Sequence, residues 1–249
     1  MIGTGGTIST PARHELDAWE YDEFSKSMEV DKLLGRFSRA LVGYELLPVR
    51  FRAIDSVEMS PTVWLDLHRR ITDTVAADPS IVGVVVTHGT STLEETAYFL
   101  HLTLKVRVPV IVVGAQRPPD AVSSDTGMNL LNALRVAAAP AARDSGVLVV
   151  LNDEVHSARD VAKSANFTLQ AFHSSDFGIL GSVDPDGTVA MYRRALRRHA
   201  PNTEFEISGR DELPTVEIIY SYAGASGRPV AALLEDGCRG IVFAGMPAG

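Results

Sequence analysis

The feature that most constrains the fold is the alternation of short apolar runs with helical patterns. The clearest run is "IVGVVVTHG" at residues 81–89, whose β-branched residues are typical of a strand buried on both faces of a sheet. A helical pattern follows at once, with Ser91 or Thr92 as its N-cap and with Glu94 and Glu95 in its first turn, where the helix dipole favours carboxylates. Strands that alternate with helices form parallel sheets, so the pattern predicts an α/β fold.

The same alternation continues on both sides of this unit. Strands are predicted at 44–54, 109–115 and 146–153, and helices at 62–77 and 126–139. After Pro214, "TVEIIYSYAG", "RPVAALLEDG" and "GIVFAG" predict a second strand-helix-strand series. We therefore predict a Rossmann-like, three-layer catalytic domain over 1–207, followed by a linker and an incomplete, smaller α/β domain over 208–249. Only Met1 and Ile2 precede the first glycine-rich loop, so we expect that the first strand is mostly missing and that the chain is truncated at both ends.

Composition excludes several classes of protein. The chain has 249 residues, 45% of them hydrophobic, which is enough for a sizeable core. Its net charge of −8 opposes binding to nucleic acid or to an anionic membrane, and no run reaches the length of a membrane span. The single cysteine, Cys238, excludes an internal disulfide, and the seven histidines show no metal-ligand spacing. We expect a protein without metal, nucleic-acid or membrane partners. No signal peptide is visible at the start of the sequence, so we expect a cytoplasmic location, with a periplasmic form as the alternative if the N-terminus is truncated.

Two loops carry hydroxyl groups at the ends of predicted strands, where parallel sheets bind ligands. One is "GTGGTI", with Thr4 and Thr7, and the other is "THGTST", with Thr87 and Thr90. The first loop does not fit a dinucleotide-binding motif, because the position of the last glycine holds Ile8, and no P-loop motif occurs in the chain. Two interpretations stay open on the residues alone: tight structural turns, or turns that hold a reactive threonine.

A threonine nucleophile needs a partner that takes its proton. Lys163, in "ARDVAKSAN", is the candidate, on a loop predicted to return over the same sheet edge; an ordinary surface lysine is the alternative. His88 fits a packed, hydrogen-bonded histidine better than a general base. Asp125, in "SSDTGMNL", fits a helix cap better than a catalytic acid.

Five segments together resemble a known family. The segments "TGGTI", "VTHGTSTLEETAYFL", "PVIVVGAQRP", "GVLVVLNDEVHSARDVAKS" and "LPTVEIIYSY" occur in the order and spacing of the bacterial-type L-asparaginases. The resemblance covers nearly the whole chain. It implies hydrolysis of an amide through an acyl-threonine intermediate, in a homotetramer of two-domain subunits with no metal or organic cofactor.

The resemblance also implies roles for particular residues. Thr7 matches the nucleophile, Tyr21 the tyrosine that activates it, and Thr90 and Lys163 the second threonine with its lysine. A desolvated lysine is neutral more readily, so Lys163 could accept a proton from Thr90. The substrate would meet the following residues: Ser56, which resembles the serine that holds the α-carboxylate, Ala115, whose carbonyl would meet the leaving amide, and Gly6 and Gly89, whose loops could supply an oxyanion hole.

Two positions depart from the family pattern. The family has an aspartate where this chain has Ser91, and usually a glutamine where it has Val57; both contact the α-ammonium of the substrate, as does a glutamate from the neighbouring subunit. We therefore expect a small amide with a carboxylate but without a conventionally bound α-ammonium, unless Asp55 or Glu58 has taken over that role. The alternative function is a catalytically weak homologue that binds small carboxylates.

Overall fold

The computed structural model describes residues 1–246, and the last three residues of the predicted second domain, 247–249, lie outside the described residues. The chain divides into two compact units, residues 1–208 and residues 209 onward. Each unit is described by itself below.

The first unit contains ten strands and five α-helices among its described residues. The strands are β1 (Ile2–Gly3), β2 (Val49–Arg50), β3 (Val84–Thr87), β4 (Val110–Val113), β5 (Val147–Leu151), β6 (Glu154–Ser157), β7 (Val161–Lys163), β8 (Phe172–Ser174), β9 (Gly181–Val183) and β10 (Val189–Met191). The helices are α1 (Tyr21–Phe24), α2 (Val30–Arg36), α3 (Pro61–Ala77), α4 (Leu93–Thr103) and α5 (Thr126–Ala138). Short 3₁₀ turns lie at Thr7–Ser9, Ser56–Glu58 and Pro140–Ala142.

Eight of these strands form one sheet, in the order β10-β9-β6-β5-β4-β3-β1-β2. Strands β1 to β5 are parallel to one another, and β6, β9 and β10 extend the sheet by antiparallel pairing. Strands β7 and β8 form a separate antiparallel hairpin. The predicted α/β fold with a mostly parallel sheet is confirmed.

Helices cover both faces of the sheet, because the side chains of its central strands alternate between two apolar cores. In β3, Val84 and Val86 face the core that contains Leu67 of α3 and Leu100 of α4. Val85 faces the opposite core, which contains Leu130 of α5. Strands β4 and β5 repeat this alternation, and every side chain of β3, β4 and β5 is buried. The first unit is therefore a three-layer structure.

The helix boundaries follow local chemistry. Helix α3 begins with Pro61, whose missing N–H would have no intrahelical partner at this position, and the Ser60 hydroxyl accepts a hydrogen bond from the Val63 N–H at 3.4 Å. The N-cap of α4 is Thr92, one of the two predicted caps, but its hydroxyl donates to the Ser56 carbonyl instead of capping the helix. The strand predicted at 44–54 is mostly wrong: only Val49–Arg50 is extended and paired, because β1 offers just two residues to pair with.

The second unit has β11 (Val216–Tyr220), α6 (Arg228–Glu235) and β12 (Gly240–Ala244), the order predicted from the sequence. The two strands pair in parallel. No residue of α6 is buried, and several apolar side chains of the strands, such as Ile218 and Phe243, are exposed. So few residues cannot enclose a core of their own.

Candidate active site

The candidate site lies where the strand order of the parallel sheet reverses. From β1 the chain crosses to β2 on one side, and β3 then lies on the other side of β1. Loops at the carboxyl ends of strands separate at such a point and leave a crevice for a ligand. The loop after β1 carries Thr7, and the loop after β3 carries Thr90. The sheet topology therefore brings the two hydroxyl-rich loops together.

Glycines allow the backbones of these loops to touch. A Cβ built on Gly6 would lie 2.2 Å from the Cα of Gly89, and a Cβ built on Gly89 would lie 2.6 Å from the Oγ of Ser56. Gly6 also has φ 83° and ψ 178°, a conformation that residues with a side chain rarely adopt. The loops after β1, β2 and β3 thus meet at a point where no side chain larger than hydrogen fits on either glycine.

Thr7 is hydrogen-bonded to Tyr21. The Oγ1 of Thr7 and the phenolic oxygen of Tyr21 are 2.6 Å apart, and either hydroxyl can donate. Thr7 opens a 3₁₀ turn that is held by the carbonyl of Gly6, which accepts hydrogen bonds from the Ser9 N–H at 2.9 Å and from the Thr10 hydroxyl at 2.9 Å. A short, direct bond to a group that can hold a proton is what a threonine nucleophile requires.

Thr90 is hydrogen-bonded to Lys163. The Nζ of Lys163 donates to the Oγ1 of Thr90 at 2.8 Å, and Thr90 is buried. Burial lowers the pKa of the Lys163 ammonium, and the charge of Glu94 partly opposes that shift by raising the pKa. The carboxylate of Glu94 also accepts a hydrogen bond from the backbone N–H of Lys163. Lys163 lies at the end of strand β7 and not on a loop as predicted.

Ser56 links the loop after β2 to the loop after β3. Its Oγ accepts a hydrogen bond from the Ser91 N–H at 3.3 Å, and its carbonyl accepts one from the Thr92 hydroxyl at 2.7 Å. Ser56 is buried, and its Oγ lies against Gly89, so it borders the point where the loops of the two threonines meet.

Comparison with known proteins identifies the family of this chain. Residues 1–197 match the model of the family described as "Asparaginase, N-terminal". The chain belongs to the asparaginase family. It is 38% identical to "L-asparaginase 2" of Bacillus subtilis (98% of this chain, 64% of that protein) and 45% identical to "L-asparaginase 2" of Escherichia coli (79% of this chain, 55% of that protein). It is 36% identical to a "Glutaminase-asparaginase" of Pseudomonas fluorescens (98% of this chain, 66% of that protein).

A solved structure is also similar to this asparaginase-family chain. The crystal structure of a probable cytoplasmic L-asparaginase from Campylobacter jejuni matches with a TM-score of 0.90 and 38% sequence identity, over 100% of this chain and 74% of that one. The chain therefore spans between about half and three quarters of the length of the relatives it matches.

The two positions that depart from the family pattern both lie at the surface of the first unit. Val57 is 69% exposed, and Ser91 is exposed as well. The carboxylates near Val57 are engaged in a capping box: Asp55 accepts the Val57 N–H at 3.2 Å, and Glu58 accepts the Asp55 N–H at 3.2 Å. Asp55 and Glu58 thus hold the turn at Ser56–Glu58 in place.

Ala115 is buried directly after β4. A Cβ built on the preceding Gly114 would lie 3.0 Å from the Cγ2 of Thr90 and 3.0 Å from the carbonyl oxygen of His88. The loop that contains Ala115 therefore borders the loop that contains Thr90, so that β1, β2, β3 and β4 all contribute to one edge.

His88 is packed and hydrogen-bonded, as the sequence predicts. It is fully buried, its Nδ1–H donates to the Gly89 carbonyl at 2.7 Å, and burial lowers its pKa to about 4. A neutral histidine in this position fixes the direction of the Gly89 carbonyl, which lies between His88 and Thr90 in the chain. Asp125 occupies the N-cap position of α5, as predicted, but its side chain makes no cap bond, and its carboxylate instead accepts N–H groups of the loop after β4.

The sequence analysis missed two further residues. Glu94 was attributed to the helix dipole, and nothing in the linear sequence indicated that β7 passes beside it. Asn129 is 2% exposed and lies on the buried face of α5, where a polar residue among apolar ones was a signal that could have been used. Among the side chains that the structure describes, no group of three or more His, Cys, Asp or Glu residues is placed to hold a metal ion. No helix within residues 1–246 is long and apolar enough to cross a bilayer.

Proposed function

We propose that the protein hydrolyses the side-chain amide of a small carboxylate-bearing substrate, converting asparagine, or a related mono-amide, into the acid and ammonia. One observation carries this proposal: Thr7, which is hydrogen-bonded to Tyr21, and Thr90, which is hydrogen-bonded to Lys163, lie on two loops whose glycine backbones are in contact. The names of the relatives, L-asparaginase and glutaminase-asparaginase, support the choice of an amide substrate.

The proposed reaction has two halves. The Oγ1 of Thr7 attacks the carbonyl carbon of the amide while its proton leaves along the bond to Tyr21. Tyr21 releases its own proton to water as it accepts the one from Thr7, and neutral Lys163 takes up one proton from water and passes it through Thr90 to the amide nitrogen. The nitrogen then departs as ammonia and leaves an acyl-threonine ester, so one proton is lost by Thr7 and one is gained by the leaving group. Water then attacks that ester, and its proton returns to Thr7 as the acid is released. Backbone N–H groups of the loops around Gly6 and Gly89 would stabilise the oxyanion of both halves.

Binding of the substrate follows from the same arrangement. Ser56 would hold the α-carboxylate, and the carbonyl of Ala115 would accept a hydrogen bond from the amide nitrogen. Val57 and Ser91 place no charge at this edge, and Asp55 and Glu58 already hold a turn by hydrogen bonds. This favours substrates without an α-ammonium over the free amino acid.

The first experiment measures ammonia release from asparagine, glutamine and succinamate, the deaminated analogue of asparagine. We expect the highest kcat/KM with succinamate. Turnover of asparagine with a low KM would remove the preference for deaminated substrates and leave the amidohydrolase proposal intact. If no amide releases ammonia, the second candidate is favoured, a homologue that binds small carboxylates. The uncharged residues Val57 and Ser91 support that candidate.

The second experiment tests the nucleophile. The protein is incubated with a reactive amide analogue, and peptide mapping by mass spectrometry locates the adduct, which we expect on Thr7. The Thr7→Ala variant should show no adduct. Thr74→Ala is the matched control, since this threonine lies on α3 and its hydroxyl only donates to the Arg70 carbonyl. An adduct on Thr90 in the unaltered protein would reverse the roles of the two threonines.

We also propose a homotetramer of two-domain subunits that works in the cytoplasm without a metal or organic cofactor. The domain organisation rests on the division of the chain at residue 208 and on the family resemblance. Sedimentation velocity measures the assembly directly, and a monomer at micromolar concentration would contradict it. Fractionation of the source cells, and activity after treatment with a chelator, address the location and the cofactor.

A further inference from the structure

Asp125, the residue before helix α5, binds the loop after β4 through its side-chain carboxylate. Asp125 occupies the N-cap position, yet its carboxylate makes no bond to the helix N-terminus. One oxygen accepts the Gln116 N–H and the other accepts the Arg117 N–H, each at 2.9 Å. Asp125 is only 9% exposed, so these two bonds replace most of the water that a carboxylate ordinarily binds.

Asn129 supports the same loop from the next turn of α5. Its Nδ2 donates to the Gly114 carbonyl at 3.0 Å and to the Asp125 carboxylate at 3.0 Å, and its Oδ1 accepts the Asn152 N–H at 2.9 Å. Asn129 therefore connects the ends of β4 and β5 and orients the carboxylate. The two side chains hold backbone groups on both sides of Ala115.

The contacts of Asp125 also determine the direction of the Ala115 carbonyl, because the peptide bond is planar. The Gln116 N–H and the Ala115 carbonyl belong to the same planar trans peptide, so they point in opposite directions. Because Asp125 fixes the direction of the N–H, it also fixes the direction of the Ala115 carbonyl, which points away from the carboxylate. A charged acceptor on the N–H polarises the peptide and makes its carbonyl oxygen a stronger acceptor.

We propose that Asp125 is a positioning residue that aims the Ala115 carbonyl at the amide nitrogen of the substrate and strengthens that hydrogen bond as ammonia leaves. The inference rests on the proposed amide hydrolysis. It adds a reason why the site acts on amides: the carbonyl can accept a hydrogen bond from an –NH₂ leaving group, whereas the oxygen of an ester leaving group has no proton to donate.

The test compares an amide and an ester of the same acyl group in the Asp125→Asn variant. The pair consists of the amide with the highest kcat/KM in the ammonia assay, which we expect to be succinamate, and the methyl ester of the same acid, here monomethyl succinate. Both give the same acyl-threonine, so they differ only in the leaving group. In the variant the amide nitrogen loses its aimed acceptor, and we expect kcat/KM for the amide to fall about tenfold to a hundredfold, the range of one charge-assisted hydrogen bond. For the ester we expect a change of less than threefold.

Asp153→Asn is the matched control. Asp153 is a carboxylate that also contacts α5, where it accepts a hydrogen bond from Asn132 at 2.7 Å, whereas the Gln116 and Arg117 N–H groups of the loop after β4 donate to Asp125. We expect this variant to keep the unaltered ratio of amide to ester turnover. If Asp125→Asn does not fold, as judged by circular dichroism, Asn129→Ala gives the same comparison, with a smaller loss that is again confined to the amide.

The outcomes separate this inference from the proposed function. If the unaltered protein hydrolyses both substrates and the variants lower both equally, Asp125 has only a structural role and the inference is wrong. If the unaltered protein hydrolyses neither substrate, the proposed function itself fails. A loss confined to the amide supports both.

Discussion

Replacing Gly6 by alanine tests the central feature of the site, the contact between the loops of Thr7 and Thr90. The new Cβ would lie 2.2 Å from the Cα of Gly89, and ordinary contacts begin near 3.4 Å, so the loops must separate by more than 1 Å. Overpacking of this kind costs about 1–3 kcal/mol. The backbone at φ 83° and ψ 178° adds about 1–3 kcal/mol of strain for a residue with a side chain. We therefore expect Gly6→Ala to lower the free energy of unfolding by about 2–6 kcal/mol.

The effect on turnover should be larger than the loss of stability alone explains. A displacement of about 1 Å between reacting groups lowers the rate about a hundredfold. We expect kcat/KM for the amide to fall by at least that factor in Gly6→Ala protein that is still folded. The assay pairs urea denaturation, followed by circular dichroism, with ammonia release measured at a temperature where the variant is native.

Two other glycines of the first unit separate the cost of backbone strain from the cost of the steric clash. Gly43 has φ 97°, but a Cβ there would meet no heavy atom within 4 Å, so Gly43→Ala carries backbone strain without a clash and should cost about 1–2 kcal/mol with turnover unchanged. Gly35 lies in α2 with open space around it and no positive φ, and Gly35→Ala should raise stability by about 0.5–1 kcal/mol. If Gly6→Ala is no less stable than Gly43→Ala and keeps its turnover, the contact between the loops does not organise the site.

Three further predictions concern the proton path and the core. Tyr21→Phe removes the hydroxyl bonded to Thr7 and should slow acylation about 10²–10⁴-fold in single-turnover ammonia release; an unchanged first turnover would exclude Tyr21 from this step. In Glu94→Gln, the charge that raises the pKa of Lys163 is gone, so that pKa falls, neutral lysine persists to lower pH, and the acidic limb of kcat/KM against pH moves to lower pH. Glu95→Gln is the control, since Glu95 is exposed, and it should leave the acidic limb of the pH profile in place. A shift of that limb to higher pH in Glu94→Gln would contradict the role of neutral lysine. Leu100→Ala removes a fully buried side chain between α4 and the sheet and should lower the free energy of unfolding by about 2–5 kcal/mol with an unchanged denaturant slope, whereas a cost below 1 kcal/mol would mean that this core is not tightly packed.

Much of the fold could be predicted because the relevant signals are local. Helix α5 was predicted at 126–139 and is found at Thr126–Ala138, since its apolar residues recur at helical spacing. Strand β3 was predicted within 81–89 because its run of valines is continuous. The long strand predicted at 44–54 failed for a non-local reason: strand length depends on a neighbour that pairs with it, and β1 has two residues.

The candidate residues were named from the sequence, but their partners were not all visible there. Thr90 and Lys163 are 73 positions apart, and the family resemblance alone connected them before the structure placed their side-chain atoms at 2.8 Å. Glu94 received no role beyond the helix dipole, because its contact with Lys163 depends on the path of β7. The sequence predicts a helix cap at Asp125 because its position and residue type fit one, yet its carboxylate accepts two N–H groups of the loop after β4 instead of capping the helix.

The sequence by itself determined the element types, the α/β class and the two threonine loops, because hydrophobic periodicity and glycine placement act over a few residues. The tertiary structure alone decided which loops touch and which groups share a proton or a charge. Those contacts arise from the reversal of strand order beside β1, which brings Gly6 against Gly89 although 83 positions separate them. Such a contact depends on the pairing of β1 with β3, two strands that are distant in the chain, and no short stretch of sequence contains it.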